Sequence, residues 1–207
     1  MKLYYSPGAC SQAPHIILHE TGLSHDAERV DLKTKKLEDG GDYLAVNPKG
    51  AVPALRLDSG EVLTENSVIL QYLGDRAAWP EVLPPMGDFR RYRVLEAVNF
   101  ITTELHKRFG FLFNPDATDE MKQLVIAEIG KKLDYVDQRL GAGPYLFGTD
   151  LTLPDPYLFV MARWTDKMLG GLDRWPSLRA FYERMQERHS VRNVLRFEGL
   201  LEEEPAA

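Results

Sequence analysis

A proline-rich break, Trp79-Pro80-Glu81-Val82-Leu83-Pro84-Pro85-Met86-Gly87, separates two stretches of different periodicity. Proline can neither continue a helix nor donate to a strand ladder, so three of them beside a glycine read as a linker. Upstream, short apolar runs alternate with helical patterns. Downstream the spacing is helical to the end, roughly over 88–112, 119–140, 153–168, 176–188 and 191–197. A chain punctuated this way predicts a small α/β domain over 1–79, a linker over 80–87 and an all-α domain over 88–207.

Within the first stretch, Lys2-Leu3-Tyr4-Tyr5 reads as a strand. A helix follows over 11–22, with Ile16, Ile17 and Leu18 apolar and Gly22 as its stop. Glu28-Arg29-Val30-Asp31-Leu32 alternates and reads as a second strand. The polar run from Lys33 to Asp42, with Lys33, Lys35 and Lys36, reads as a loop leading into a short irregular helix. Asp58-Ser59-Gly60 joins Ala54–Asp58 and Glu61–Thr64 as a hairpin. A helix over 65–76 closes the domain, giving the order βαβαββα. Two strands flanking a helix predict a parallel pair joined by a right-handed crossover.

Composition narrows the function classes. At 44% hydrophobic and 27% charged the chain fits a soluble globular protein. A net charge of −6 argues against a broad basic surface for nucleic acid. One cysteine in 207 residues excludes a disulfide framework and a multi-cysteine metal site. Met1-Lys2-Leu3-Tyr4-Tyr5-Ser6-Pro7 lacks the apolar core of a signal peptide, and no stretch has the length and apolarity of a membrane span. The expectation is a cytoplasmic protein with no membrane or nucleic-acid partner. The acidic tail Glu202-Glu203-Glu204-Pro205-Ala206-Ala207 reads as a frayed end.

Three features of the first domain carry chemistry. Cys10 follows the first strand at the entry to a helix, where unpaired N–H groups favour an anion and lower a thiol pKa. The competing reading is a buried cysteine acting as a small hydrophobe. Val52-Pro53 directly precedes an apolar strand. A cis bond there would expose the Val52 backbone to an extended peptide-like ligand, whereas the dipeptide alone favours an ordinary trans proline. Thr64-Glu65-Asn66-Ser67 marks the next strand-to-helix junction, suited to a ligand carboxylate and, through Glu65, to an ammonium. Helix capping by Thr64 or Glu65 is the plainer reading.

Taken together, these motifs resemble the cytosolic-type glutathione transferases. The segments Tyr5-Ser6-Pro7-Gly8-Ala9-Cys10-Ser11, Asn47-Pro48-Lys49-Gly50-Ala51-Val52-Pro53 and Asn99-Phe100-Ile101-Thr102-Thr103-Glu104-Leu105-His106-Lys107 resemble the bacterial beta class, over nearly the whole chain. The resemblance implies a thioredoxin-like first domain with a cis Val52–Pro53 bond. It implies glutathione as co-substrate, no prosthetic group, a hydrophobic electrophile as second substrate and a homodimer. It places Cys10 and His106 at the catalytic centre, with His106 beside the glutathione sulfur. Val52 and Pro53 would hold the cysteinyl part of glutathione, Glu65 and Asn66 its γ-glutamyl end, and Lys35 a carboxylate. Asn99, Thr103, Glu104, Leu105 and His106 would contribute from the helical domain, some from a second subunit. Cys10 would orient glutathione or store it as a mixed disulfide, with thiol-disulfide exchange or peroxide reduction as side activity.

The remaining features divide between ligand and structural readings. Asn99, Thr103 and His106 are spaced i, i+4, i+7 and share one face of an α-helix. Phe109, Phe111, Leu112 and Phe113 line the second-substrate pocket or form core. His15 and His19 have metal-compatible spacing, but with no third ligand in view they read as surface or interface residues; no metal is expected, and His25 and His189 carry no case. Thr152-Leu153-Pro154-Asp155 is a Thr-x-x-Asp capping box with Thr152 at the N-cap, and Pro156 at the fourth helical position forfeits a hydrogen bond. Two other functions fit the same scaffold: a non-catalytic binding or regulatory protein, and a specialised dehalogenase or isomerase.

Overall fold

The computed structural model describes residues 1–201, and the acidic tail at 202–207 lies outside the described residues. The chain divides into two compact units. One is Met1–Trp79 joined by the segment from Gln186 on, and the other is Pro80–Met185.

The first unit is built on a five-stranded mixed sheet of thioredoxin-like type. Its strands are β1 (Lys2–Tyr5), β2 (Asp26–Asp31), β3 (Lys36–Leu37), β4 (Ala54–Arg56) and β5 (Val62–Thr64), in the spatial order β3-β2-β1-β4-β5. β1 pairs parallel with β2, with Lys2 opposite Asp26, and antiparallel with β4, with Leu3 opposite Leu55. The central place of β1 explains its sequence. Leu3, Tyr4 and Tyr5 are all buried, so the strand is an apolar run rather than an alternation. β3 arises inside the stretch read as loop, because Val30 and Leu37 pair across a short antiparallel return.

Helix α1 (Gln12–Thr21) ends at Gly22, whose φ of 67° provides the left-handed turn that stops it. Helix α2 (Asn66–Ala77) follows β5. The last helix of the chain, α8 (His189–Phe197), packs on α1 and so belongs to this unit, which corrects the 88–207 boundary. Its side chains Val191, Val194 and Leu195 are buried. Arg188 pairs with Glu20, and Ser190 donates to the same carboxylate. Periodicity shows that a helix has an apolar face but not which partner covers it.

The second unit contains α3 (Phe89–Phe100), a π-helical segment Ile101–His106, α4 (Lys107–Leu112), α5 (Asp119–Leu140), α6 (Pro154–Leu169) and most of α7 (Pro176–Glu187). Helix α6 is its axis: Tyr157, Leu158, Phe159, Val160, Met161 and Ala162 are fully buried. Each large apolar side chain removed from water here contributes about 1.5–3 kcal/mol.

The start of α6 departs from a simple capping box. The Asp155 carboxylate accepts from the Thr152 N–H at 2.7 Å, the Thr152 hydroxyl at 2.6 Å and the Leu146 N–H at 3.0 Å. The Thr152 hydroxyl is therefore a donor to Asp155 rather than an acceptor at an N-cap. Because the helix begins at Pro154, Pro156 is its third residue, where an N–H has no intrahelical acceptor. The penalty expected at Pro156 does not arise. Among the described residues no helix is long and apolar enough to cross a membrane.

Candidate active site

The turn between β1 and α1 is held by its own serines. Ser11 Oγ accepts from the Ser6 N–H at 3.1 Å and donates to the Ser6 carbonyl at 3.3 Å. This leaves Cys10 pointing inward. Its Sγ donates to the Val52 carbonyl at 3.4 Å, and the residue is only 6% exposed. Burial pushes the thiol up from an ordinary 9 to about 12. The backbone N–H groups of Cys10 and Ser11 favour the thiolate, but desolvation outweighs them. The expectation of a lowered pKa at the helix entry is therefore overturned, and Cys10 is a protonated thiol at neutral pH.

The opposing segment is pinned from behind. Tyr43 Oη and Asn47 Nδ2 both donate to the Ala51 carbonyl at 2.7 Å. Lys35 Nζ donates to the Gly50 carbonyl at 2.8 Å, so the ammonium lies along this loop rather than in a free basic cluster. Gly50 has a φ of 62°, and a Cβ there would meet Leu44 at 3.1 Å and Lys35 at 3.2 Å. Only glycine fits both the conformation and the space. The Val52–Pro53 peptide is cis, as the resemblance implied and against the reading from the dipeptide alone.

Across the same turn, Glu65 and Asn66 open α2. Glu65 has φ 71° and ψ 119°, a conformation that costs a non-glycine residue about 1–3 kcal/mol. Its exposed carboxylate pairs with Lys49. Asn66 Nδ2 donates to the Cys10 carbonyl at 3.0 Å, while its Oδ1 is buried and has no hydrogen-bond partner among the described residues. An orphan acceptor of this kind costs about 1–3 kcal/mol. The structure thus brings Cys10, Val52 and Asn66 into one hydrogen-bonded cluster, with Pro53 and Glu65 as their chain neighbours and Lys35 on the adjoining Gly50.

A buried carboxylate that sequence reasoning missed backs this cluster. Glu198 accepts from the Gly8 N–H at 3.0 Å and Gln12 Nε2 at 2.9 Å, and contacts His15 Nδ1 at 3.1 Å. It follows α8 and ties that end of the chain to the turn carrying Cys10. His15 is 1% exposed, which corrects the surface half of its reading as a surface or interface residue.

In the second unit, His106 closes the π-helical segment. Its Nδ1 lies 2.5 Å from the fully buried Tyr157 Oη, and its ring packs edgewise on Tyr157 and Trp164. Burial lowers its pKa to about 4, so the imidazole is neutral at pH 7. The wider π turn also changes which residues share a face. Asn99 and Thr103 are exposed while His106 turns against Tyr157 and Trp164, so the i, i+4, i+7 stripe does not hold. Thr103 Oγ1 donates to the Asn99 carbonyl at 3.1 Å. Arg108 donates to the carbonyls of Thr103 and Glu104, supporting the segment. The Glu104 carboxylate is held by Lys132 at 2.9 Å and Arg108 at 3.1 Å, which keep it below the usual carboxylate range. The Leu105 side chain is core. Phe109 is also core, whereas Phe113 is exposed and edges onto Trp164. Tyr157 and Trp164 carry no local signal in the sequence, being two members of a continuous buried helix.

Comparison with known proteins shows the family. Residues 8–76 match the family model "Glutathione S-transferase, N-terminal domain" and residues 88–184 match "Glutathione S-transferase, C-terminal domain". The chain is 46% identical over 200 residues to the glutathione S-transferase GstA of Escherichia coli O157:H7, covering 97% of this chain and all of that protein. It superposes with a TM-score of 0.92 on a bacterial beta-class glutathione S-transferase from Sphingomonas chungbukensis, at 43% identity over 97% of this chain and all of the other. A sphingomonad glutathione S-transferase solved in complex with glutathione gives the same TM-score of 0.92, at 42% identity and the same coverage. With both halves matched and full-length relatives at this identity, the chain belongs to the glutathione S-transferase family and is of the bacterial beta-class type.

Proposed function

We propose that this protein binds glutathione on its first unit, stabilises the glutathione thiolate and transfers it to a hydrophobic electrophile. The observation that carries the reading is the unpartnered Asn66 Oδ1 at the head of α2, beside the Cys10 carbonyl. Glu65 and Asn66 receive the γ-glutamyl end. The backbone of Val52, ahead of Pro53, receives the cysteinyl part. Lys35 has donors beyond the one given to Gly50 and pairs with a glutathione carboxylate. A solved relative in complex with glutathione supports the same ligand for this chain.

The chemistry follows from the protonation states. Glutathione's thiol is mostly protonated at neutral pH, and hydrogen bonds donated to sulfur lower its pKa. Both groups assigned to the glutathione sulfur are neutral at pH 7: the Cys10 thiol, whose S–H is given to the Val52 carbonyl, and the His106 imidazole. We assign the Tyr157 hydroxyl as donor to Nδ1, which holds the His106 hydrogen on Nε2. The thiolate attacks the electrophilic carbon, a C–S bond forms, and the leaving group departs with its electron pair. Cys10 in this scheme orients and polarises. The resemblance also assigns Asn99, Thr103, Glu104 and Leu105 of the helical unit to glutathione. The protein acts as a cytoplasmic homodimer in detoxification.

Conjugation of glutathione to a chlorodinitrobenzene-type electrophile tests the reading on wild type, Cys10→Ala and His106→Ala, with glutathione affinity measured in parallel. Turnover in wild type with a large loss in His106→Ala is expected. A wild type that neither binds nor turns over glutathione would leave a non-catalytic binding protein as the better description.

A further inference from the structure

His15, read on sequence as a surface or interface residue, is one of three histidines that converge on one side of the first unit. His15 and His19 lie one turn apart on α1, and His25 enters from the chain just before β2. Each offers one ligand nitrogen, and the three nitrogens lie within 4.8 Å of one another. The ring centroids are 5.2 Å apart for His15–His19 and His19–His25, and 5.7 Å for His15–His25. A tetrahedral ion with Zn–N bonds of ~2.0–2.1 Å sets three imidazole centroids roughly 5.2 Å apart, so two of the three spacings match and the His15–His25 pair closes slightly when a metal binds.

The surroundings of the rings point the same way. His15 Nδ1 faces the buried Glu198 carboxylate at 3.1 Å, and His25 Nδ1 faces the Leu23 carbonyl at 2.8 Å. A carboxylate and a carbonyl are acceptors only, so each holds the ring hydrogen on Nδ1 and leaves Nε2 with its lone pair. Metal-ligating histidines are held this way, by an acceptor on the nitrogen that does not bind. His15 is buried while His19 and His25 are partly exposed, which leaves the site closed behind and open in front. Glu198 supplies negative charge behind it, and Phe197 edges onto His15 at 5.3 Å as apolar wall.

We propose that His15, His19 and His25 form a three-histidine site for a divalent late first-row transition metal, with Zn²⁺ as its best-suited occupant and a fourth position left to solvent or an exogenous ligand. Imidazole nitrogens suit Zn²⁺, Ni²⁺ and Cu²⁺ over Mg²⁺ and Ca²⁺, and the three-nitrogen set with an open position suits tetrahedral Zn²⁺. The site is independent of the glutathione reading, since none of the three histidines is assigned to glutathione.

The test uses the full-length, tag-free chain stripped with chelator and dialysed against Zn²⁺, with bound metal counted by elemental analysis and Co²⁺ as the spectroscopic probe. One equivalent of Zn²⁺ per chain is expected, with tetrahedral visible absorption for Co²⁺. His19→Ala and His25→Ala, both partly exposed and folded by circular dichroism, each weaken Zn²⁺ binding by ~10-fold or more. His106→Ala, outside the cluster, retains it. A wild type that holds no more Zn²⁺ than His25→Ala, or an equal loss in His106→Ala, overturns the proposal.

Discussion

His106 Nδ1 lies 2.5 Å from Tyr157 Oη, so the imidazole of a π-helical segment is fixed by a phenol from the central helix of its unit. This contact sets the orientation of the ring and occupies one of its two nitrogens. Burial keeps the ring neutral, with a pKa near 4. The histidine is therefore a hydrogen-bond donor or acceptor at neutral pH and not a source of positive charge.

That neutrality has a pH signature. A histidine whose folded pKa lies below its unfolded value near 6.5 takes up a proton more readily when unfolded. Stability is thus fully present above about pH 6.5 and is lost as pH falls toward 4. His106 contributes up to ~3 kcal/mol of this loss. His19, also lowered to about 4, and His25 act in the same direction. Urea midpoints at pH 7.5 and 5 are expected to differ more in wild type than in His106→Gln. Equal differences in the two proteins would rule out this role for His106.

Cys10 reactivity is expected to be suppressed. With the thiol raised from 9 to about 12, the thiolate fraction at pH 8 falls roughly 10³-fold. Alkylation by iodoacetamide, followed by mass spectrometry, should be slower by about that factor in the native glutathione-free protein than in denaturing urea. A native rate equal to the denatured one would place an accessible thiolate at Cys10.

Asn66→Ala removes both the donor to the Cys10 carbonyl and the orphan acceptor. Loss of a buried hydrogen bond costs about 1 kcal/mol, partly offset because Oδ1 is unsatisfied in the free protein. Stability should change little, while the glutathione KM rises about tenfold, as expected when a ligand hydrogen bond worth ~1.4 kcal/mol is lost. A stability loss with unchanged KM would make Asn66 a structural residue only.

Glu198→Ala leaves the Gly8 N–H, Gln12 and His15 without their shared buried carboxylate. Removing one member of a buried charged network costs about 3–5 kcal/mol. For a chain of this size that lowers the melting temperature by roughly 6–20 °C. Scanning calorimetry of wild type and variant checks this, and an unchanged melting temperature would refute it.

The sequence by itself determined most of the elements and their order, but not β3 or the π-helical interruption of the 88–112 helix. Helix periods, the Gly22 stop, the hairpin at Asp58-Ser59-Gly60 and the proline-rich break are local properties, and the structure follows them within one or two residues at most ends. The motif segments around Cys10, Val52-Pro53 and Glu65-Asn66 were also legible, because each lies within a few residues of chain. Tertiary structure decided what depends on distant neighbours. It placed α8 on α1 rather than in the helical unit, buried Cys10 so that desolvation overcame the helix-entry N–H groups, and rotated His106 off the Asn99–Thr103 face through a π turn. It also brought His25 to His15 and His19, and Glu198 to His15. Burial, local dielectric and long-range pairing are sums over residues far apart in the chain, and no periodicity or spacing carries them.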